Sequence, residues 1–102
     1  KRPETSREVA SAIAVALGAL LPRRLRVKAP NDVLLDGRKL AGVLIEQADG
    51  LAVIGVGINV GHVDWPPELQ DHAISLQDAG VATDRMGVLE LVLPAVVEAW
   101  HI

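Results

Sequence analysis

The sequence predicts an α+β fold, an antiparallel or mixed sheet flanked by helices. Three observations carry this expectation. A segment near the start sets apolar residues at helical spacing behind a capping signal. Two Asp-Gly pairs, Asp36-Gly37 and Asp49-Gly50, each join two apolar runs. A second helical segment follows Asp84, beyond a proline-marked loop. The length of 102 residues suits one small domain or part of a larger one, and half the residues are hydrophobic, enough for a core.

The first element is Thr5-Ser6-Arg7-Glu8 followed by Val9, Ile13, Ala16, Leu17 and Leu20. Thr5 fits the cap of a capping box, with Glu8 reaching back. The spacing predicts a helix over 6–21 that Pro22 stops. Residues 24–29 alternate weakly and predict a short strand, and Pro30, which cannot donate to a ladder, marks a turn or edge.

Val33-Leu34-Leu35 then leads into Asp36-Gly37, the next strand runs from Lys39 to Gln47, and Asp49-Gly50 leads into a strand over 51–60. Asp-Gly between apolar runs signals a type I′ hairpin, whose two central residues both need positive φ. With two-residue turns the register follows. Val43 faces Val56, Ala41 faces Ile58 and Ile45 faces Ile54, an aliphatic face expected to lie on the helices. On the other face Gly42 meets Gly57, Leu44 meets Gly55, Asn59 lies near Leu40, and Asn31 falls opposite Gly42. Glycine inside a strand weakens it and marks a bulge, a bend or a close approach. Three glycines on one face point either to a helix packed tightly there or, the reading we favour, to a ligand lying on a floor bordered by asparagines.

Past Val60 the chain turns polar around Pro66-Pro67, and Ser75 to Gly80, SLQDAG, reads as a short helix ended by glycine. Asp84 is placed to cap a last helix over 85–101, in which Pro94 should introduce a kink.

Composition excludes several classes. The absence of cysteine removes disulfide and zinc-thiolate chemistry. With no Phe or Tyr, two Trp and a net charge of −3, a nucleic-acid partner is not expected. The basic cluster Arg23, Arg24, Arg26 and Lys28 reads as a solvated loop. The longest apolar run is broken by Gly18 and ends at Pro22, too short to span a bilayer, so a cytoplasmic protein without membrane contact is expected. His62, His72 and His101 share no spacing that suggests a metal site.

Gly55 to Val60, GVGINV, lacks the third glycine of a dinucleotide fingerprint and the Lys-Ser/Thr of a P-loop, and it lies within a strand. Lys39 is either a lysine snorkelling at a strand end or a cation aimed at a phosphate or carboxylate. Asp32 caps a turn or takes part in the same site. The two-residue register sets both on the aliphatic side, unless they reach round the rim or a bulge intervenes.

Three segments, in order, resemble biotin protein ligases: Lys28-Ala29-Pro30-Asn31-Asp32, Arg38 to Gly42, and Gly55 to Asn59. Ile74 to Gly80 is similar as well. The resemblance implies a catalytic domain related to class II aminoacyl-tRNA synthetases and lipoate ligases. It implies activation of biotin with MgATP to biotinyl-AMP, then transfer to a lysine of a biotin carboxyl carrier domain. It implies Lys39 as the catalytic lysine at the biotin carboxylate and α-phosphate, with Asp32 beside Asn31 along the nucleotide and acyl-transfer site. Asn59 would read the adenine edge, and Gly42, Gly55 and Gly57 would lie under the ligand.

The resemblance also sets limits. Ala29 stands where the family has tryptophan, so one pocket wall is expected to be missing or supplied elsewhere. The family's glycine- and arginine-rich closing loop lies upstream of the first helix and its small barrel lies downstream. Residues 1–102 are therefore expected to form part of a catalytic domain, inactive by themselves, with a homodimer as one assembly open to it. The alternatives are a lipoate or octanoyl transferase of the same fold, or a non-catalytic nucleotide- or biotin-binding module.

Overall fold

The structure is a computed structural model and describes residues 4–21 and 24–101. Pro22, as a helix stop, and Arg23, of the basic cluster, lie outside the described residues. The elements run α1 (Glu4–Gly18), β1 (Leu25–Lys28), β2 (Asp32–Leu35), β3 (Arg38–Ala48), β4 (Leu51–Ile58), a 3-10 turn (Pro67–Leu69) and α2 (Arg85–His101). The four strands form one antiparallel sheet in the order β1-β2-β3-β4.

Helix α1 buries Val9, Ala10, Ile13 and Leu17, the stripe its spacing predicts. Its ends differ from expectation. The helix already includes Glu4, so Thr5 lies inside the first turn, buried, and is not the cap. At the other end it closes at Gly18. Leu20 and Leu21 donate to the carbonyls of Leu17 and Gly18, the three-residue spacing that tightens a last turn. The buried stripe meets Val33, Leu35, Leu40, Ala41 and Val43 of the sheet. Truncating Ile13, fully buried in this contact, to alanine would cost about 2–5 kcal/mol.

Both Asp-Gly turns have the backbone a type I′ hairpin needs. Asp36 and Gly37 stand at φ 52° and 76°, Asp49 and Gly50 at 53° and 77°. The β3–β4 ladder is as predicted, with Val43↔Val56, Gly42↔Gly57 and Leu44↔Gly55. The β2–β3 ladder is not. After Leu35↔Arg38 and Leu34↔Lys39 it slips by one residue, so Val33 pairs with Ala41 and Asp32, not Asn31, pairs with Gly42. Leu40 and Ala41 are consecutive and both buried, which a regular strand cannot achieve. The bulge lets both enter the core and turns Lys39 and Asp32 onto the glycine face, so of the placements the sequence left open it is the bulge that applies.

The last segments settle around this sheet. Ser75 to Gly80 is a single turn, not a helix. Gly80 at φ 89° ends it, with Val81 N–H on the Leu76 carbonyl and Gly80 N–H on the Gln77 carbonyl, a Schellman motif. One turn holds too few residues to propagate a helix. Helix α2 begins where Asp84 caps it, with Oδ1 accepting from Gly87 N–H at 2.8 Å. It packs on α1 through Val88, Val92, Val96 and Ala99. It stands off from β4, leaving an apolar groove of about 390 Å³ between them, so Ile54, Val56 and Ile58 are only half-buried. No helix among the described residues is long and apolar enough to cross a membrane.

Candidate functional site

The glycine face of the sheet carries a cavity of about 610 Å³. Asn31, Asp32, Lys39, Gly42, Gly55, Gly57 and Asn59 all line it, so every site residue expected from the sequence stands around one space. Among the described residues no helix covers this face.

The glycines are not equivalent. A Cβ on Gly57 would meet no atom within 4 Å, and one on Gly55 would make only ordinary contact with Leu44. A Cβ on Gly42 would stand 3.0 Å from Lys39 Cε and 3.1 Å from its Nζ. Gly42 therefore makes room for the lysine, while Gly57 and Gly55 form the bare floor.

At the β2–β3 end, Lys39 Nζ and Asp32 Oδ1 are 3.2 Å apart, with the lysine about half-exposed. The carboxylate steers the ammonium over Gly42 without removing it from solvent. Asn31 shapes the same end: its Nδ2 donates to the Val43 carbonyl, and its own carbonyl accepts from Val43 N–H. At the β4 end, Asn59 Nδ2 donates to the carbonyls of Lys39 and Ile74, both at 3.2 Å. Both asparagines thus donate from their side-chain amides to the backbone. Among the described residues no group of three His, Cys, Asp or Glu could hold a metal ion.

A cation fixed beside a flat, side-chain-free floor suits a planar ligand carrying negative charge at one end. Comparisons with known proteins place the chain in a family. Residues 7–62 match the biotin/lipoate A/B protein ligase family. The chain belongs to this family. It is similar to the bifunctional ligase/repressor BirA of Bacillus spizizenii, 38% identical over 101 residues, covering 91% of this chain and 31% of that protein. It is 48% identical over 64 residues to the biotin–[acetyl-CoA-carboxylase] ligase of Mycobacterium tuberculosis, covering 63% of this chain and 23% of that one. Among solved structures it is similar to the apo biotin protein ligase from Aquifex aeolicus, with TM-score 0.87 and 30% identity over 97% of this chain and 45% of that chain. The same Aquifex ligase in complex with biotin and ATP gives a TM-score of 0.86 at 30% identity, over 97% of this chain and 43% of that one. The fold is thus the class II aminoacyl-tRNA synthetase-like fold of biotin protein ligases. The chain spans 31% of the Bacillus relative and less than half of the Aquifex ligase.

Sequence reasoning missed one part of this candidate site. Residues 72–76 run parallel to the start of β3, joined at Lys39↔Ala73, and hold both Lys39 and Asn59 from behind. A capping-box spacing at Ser75 and Asp78 was the available signal for that segment.

Proposed function

We propose that this chain supplies the sheet and ligand floor of a cytoplasmic biotin protein ligase, which activates biotin with ATP and transfers it to a lysine of a biotin carboxyl carrier domain. The observation that carries the reading is Lys39, turned by the β-bulge onto the glycine floor and held by Asp32. In the first step a biotin carboxylate oxygen would attack the α-phosphorus of ATP, the bond to the bridging oxygen would break, and pyrophosphate would leave. Negative charge gathers at that centre, and Lys39 is the cation available to stabilise it. Gly55 and Gly57 would let the flat nucleotide lie against the backbone, with Asn59 at the adenine end. In the second step the carrier lysine would attack the acyl carbon, the carbon–oxygen bond to AMP would break, and AMP would leave. Asp32 is the carboxylate along the cavity that could take the amine's proton. Mg²⁺ would arrive on the ATP phosphates, since among the described residues the cavity lining offers one carboxylate, Asp32.

The domain boundary is part of the same proposal: residues 1–102 act with further catalytic-domain structure that closes over the reactive acyl phosphate and keeps water out. For these residues we propose no nucleic-acid contact, given their net charge of −3. The repressor half of the Bacillus relative's name describes a protein of which the chain spans 31%.

The test is intact-mass spectrometry of carrier domain incubated with MgATP, biotin and the complete polypeptide carrying this sequence, with lipoate replacing biotin in a parallel arm. The expected result is biotin-dependent, ATP-dependent labelling by the complete polypeptide and none by residues 1–102 alone. Modification only with lipoate would move the protein to the other branch of the family. Labelling by the 102 residues alone would overturn the boundary.

A further inference from the structure

The cavity takes its shape from a segment that does not line it. Lys39 N–H donates to the His72 carbonyl at 2.8 Å, and Ile74 N–H donates to the Lys39 carbonyl at 3.0 Å. Asn59 donates its side-chain amide to Ile74 and accepts Leu76 N–H on its own carbonyl at 2.8 Å. The polar residues at both ends of the cavity therefore hang from residues 72–76.

That segment is fastened in turn at Ser75, which is fully buried. Ser75 N–H donates to Asp78 Oδ2 at 3.2 Å, and Ser75 Oγ accepts from Asp78 N–H at 3.0 Å. The other carboxylate oxygen, Oδ1, accepts from His62 Nδ1 at 2.7 Å. His62 lies just past β4 and donates its own N–H to Gln77 Oε1 at 2.9 Å. One carboxylate thus joins the buried turn to the chain leaving the cavity floor.

We propose that Asp78 is a positioning residue for the cavity. Through Ser75 it fixes residues 72–76, and through them it sets where Asn59 and the Lys39 backbone stand. What the cavity binds rests on the ligase reading; the brace does not. Losing Asp78 would leave the buried Ser75 N–H without its acceptor and free the segment to shift. Asparagine in its place keeps an oxygen for that N–H, so the conservative change should rescue what alanine loses.

The experiment uses Asp78→Ala and Asp78→Asn in the complete polypeptide, with two readouts. In amide hydrogen exchange, Ile74 and Leu76 should exchange about tenfold faster in Asp78→Ala, with Ile13 and Leu17 of α1 unchanged and Asp78→Asn near wild type. In ATP–pyrophosphate exchange, Asp78→Ala should raise KM for ATP about tenfold, with a smaller change in KM for biotin. His62→Ala, which removes only the outer anchor, should move both readouts the same way by about threefold. It carries the test if the alanine variant of Asp78 does not fold. Unchanged exchange at Ile74 and Leu76 would overturn the brace. Faster exchange with both KM values unmoved would reduce Asp78 to a structural residue and overturn the positioning role. A wild-type protein without biotin-dependent pyrophosphate exchange would sink the ligase reading while the hydrogen-exchange arm still decides the brace.

Discussion

Two of the three hairpins of this sheet turn on the same dipeptide with nearly the same φ angles, yet they do different work. From Ala48↔Leu51 to Ala41↔Ile58 the β3–β4 hairpin pairs without interruption and provides a flat floor. The β2–β3 hairpin keeps register for two pairs after its turn and then slips at the bulge. The slip carries the polar chemistry, because it moves Lys39 and Asp32 from the core side to the glycine side. Turn residues set register only as far as the first bulge. Where a bulge falls is decided by which side chains the core takes in, here Leu40 and Ala41 together.

The comparison breaks most sharply at Lys39. Under the proposed function, Lys39→Ala in the complete polypeptide should lower ATP–pyrophosphate exchange by about 10²–10³. The melting temperature should hold, because the lysine is about half-exposed. Leu51→Ala, a change at an exposed residue just past the turn of the regular hairpin, should leave exchange unaltered. Near-normal exchange in the lysine variant would remove the bulged hairpin from the chemistry.

The glycines sharpen the contrast at smaller scale. A Cβ at Gly57 meets no protein atom within 4 Å, so the fold should tolerate Gly57→Val while the raised floor weakens ATP binding more than about tenfold in calorimetric titration. Gly42→Ala presses on Lys39 Cε and Nζ, a flexible side chain, and should lower the rate by about tenfold with ATP affinity kept. Unchanged affinity in a folded Gly57→Val protein would mean that the glycines serve the backbone alone.

The sequence made the regular hairpin readable to the residue, since a two-residue Asp-Gly turn and period-two alternation leave one register. It also marked the Asp84 cap of α2 and the αL glycine at position 80. The bulge was harder to read because the same turn signal precedes it, though the adjacent apolar pair Leu40-Ala41 breaks alternation where the register slips. The pairing of Lys39 with Ala73 was not readable. It is a tertiary contact between segments far apart in the chain, and nothing local in SLQDAG distinguishes a helix from a single closed turn. The start of α1 was misread because Thr5 and Glu8 satisfy the capping pattern although the helix begins before them.

The smallest expected effect is on pH dependence. Hydrogen bonds to Asp78 and then Asp64 raise the His62 pKa above its ordinary value. Burial pushes the Asp78 carboxyl up, but hydrogen bonds from His62 and Ser75 outweigh it and hold the group below the usual carboxylate range. Asp64, Asp78 and Arg38 line the space beside His62. A raised folded pKa means that the His62 contribution is complete below about pH 6.5 and is lost as pH rises through the folded value. The lowered Asp78 pKa means that its contribution is present above about pH 3.9 and is lost only as pH falls through the depressed value. Melting temperature should therefore decline slightly from about pH 6 to about pH 9, and His62→Gln should flatten that decline. An identical slope in the variant would show that His62 does not carry it.

The central claim is that the nucleotide and biotin meet on the glycine face, between the Lys39–Asp32 pair and Asn59. Titrating the ¹⁵N-labelled complete polypeptide with ATP and biotin tests this most directly. The expected result is that the largest amide shifts gather at Gly42, Gly55, Gly57 and Asn59, while Val88, Val92 and Val96, along the groove between β4 and α2, stay in place. Shifts concentrated in that groove, with the glycines unmoved, would contradict it.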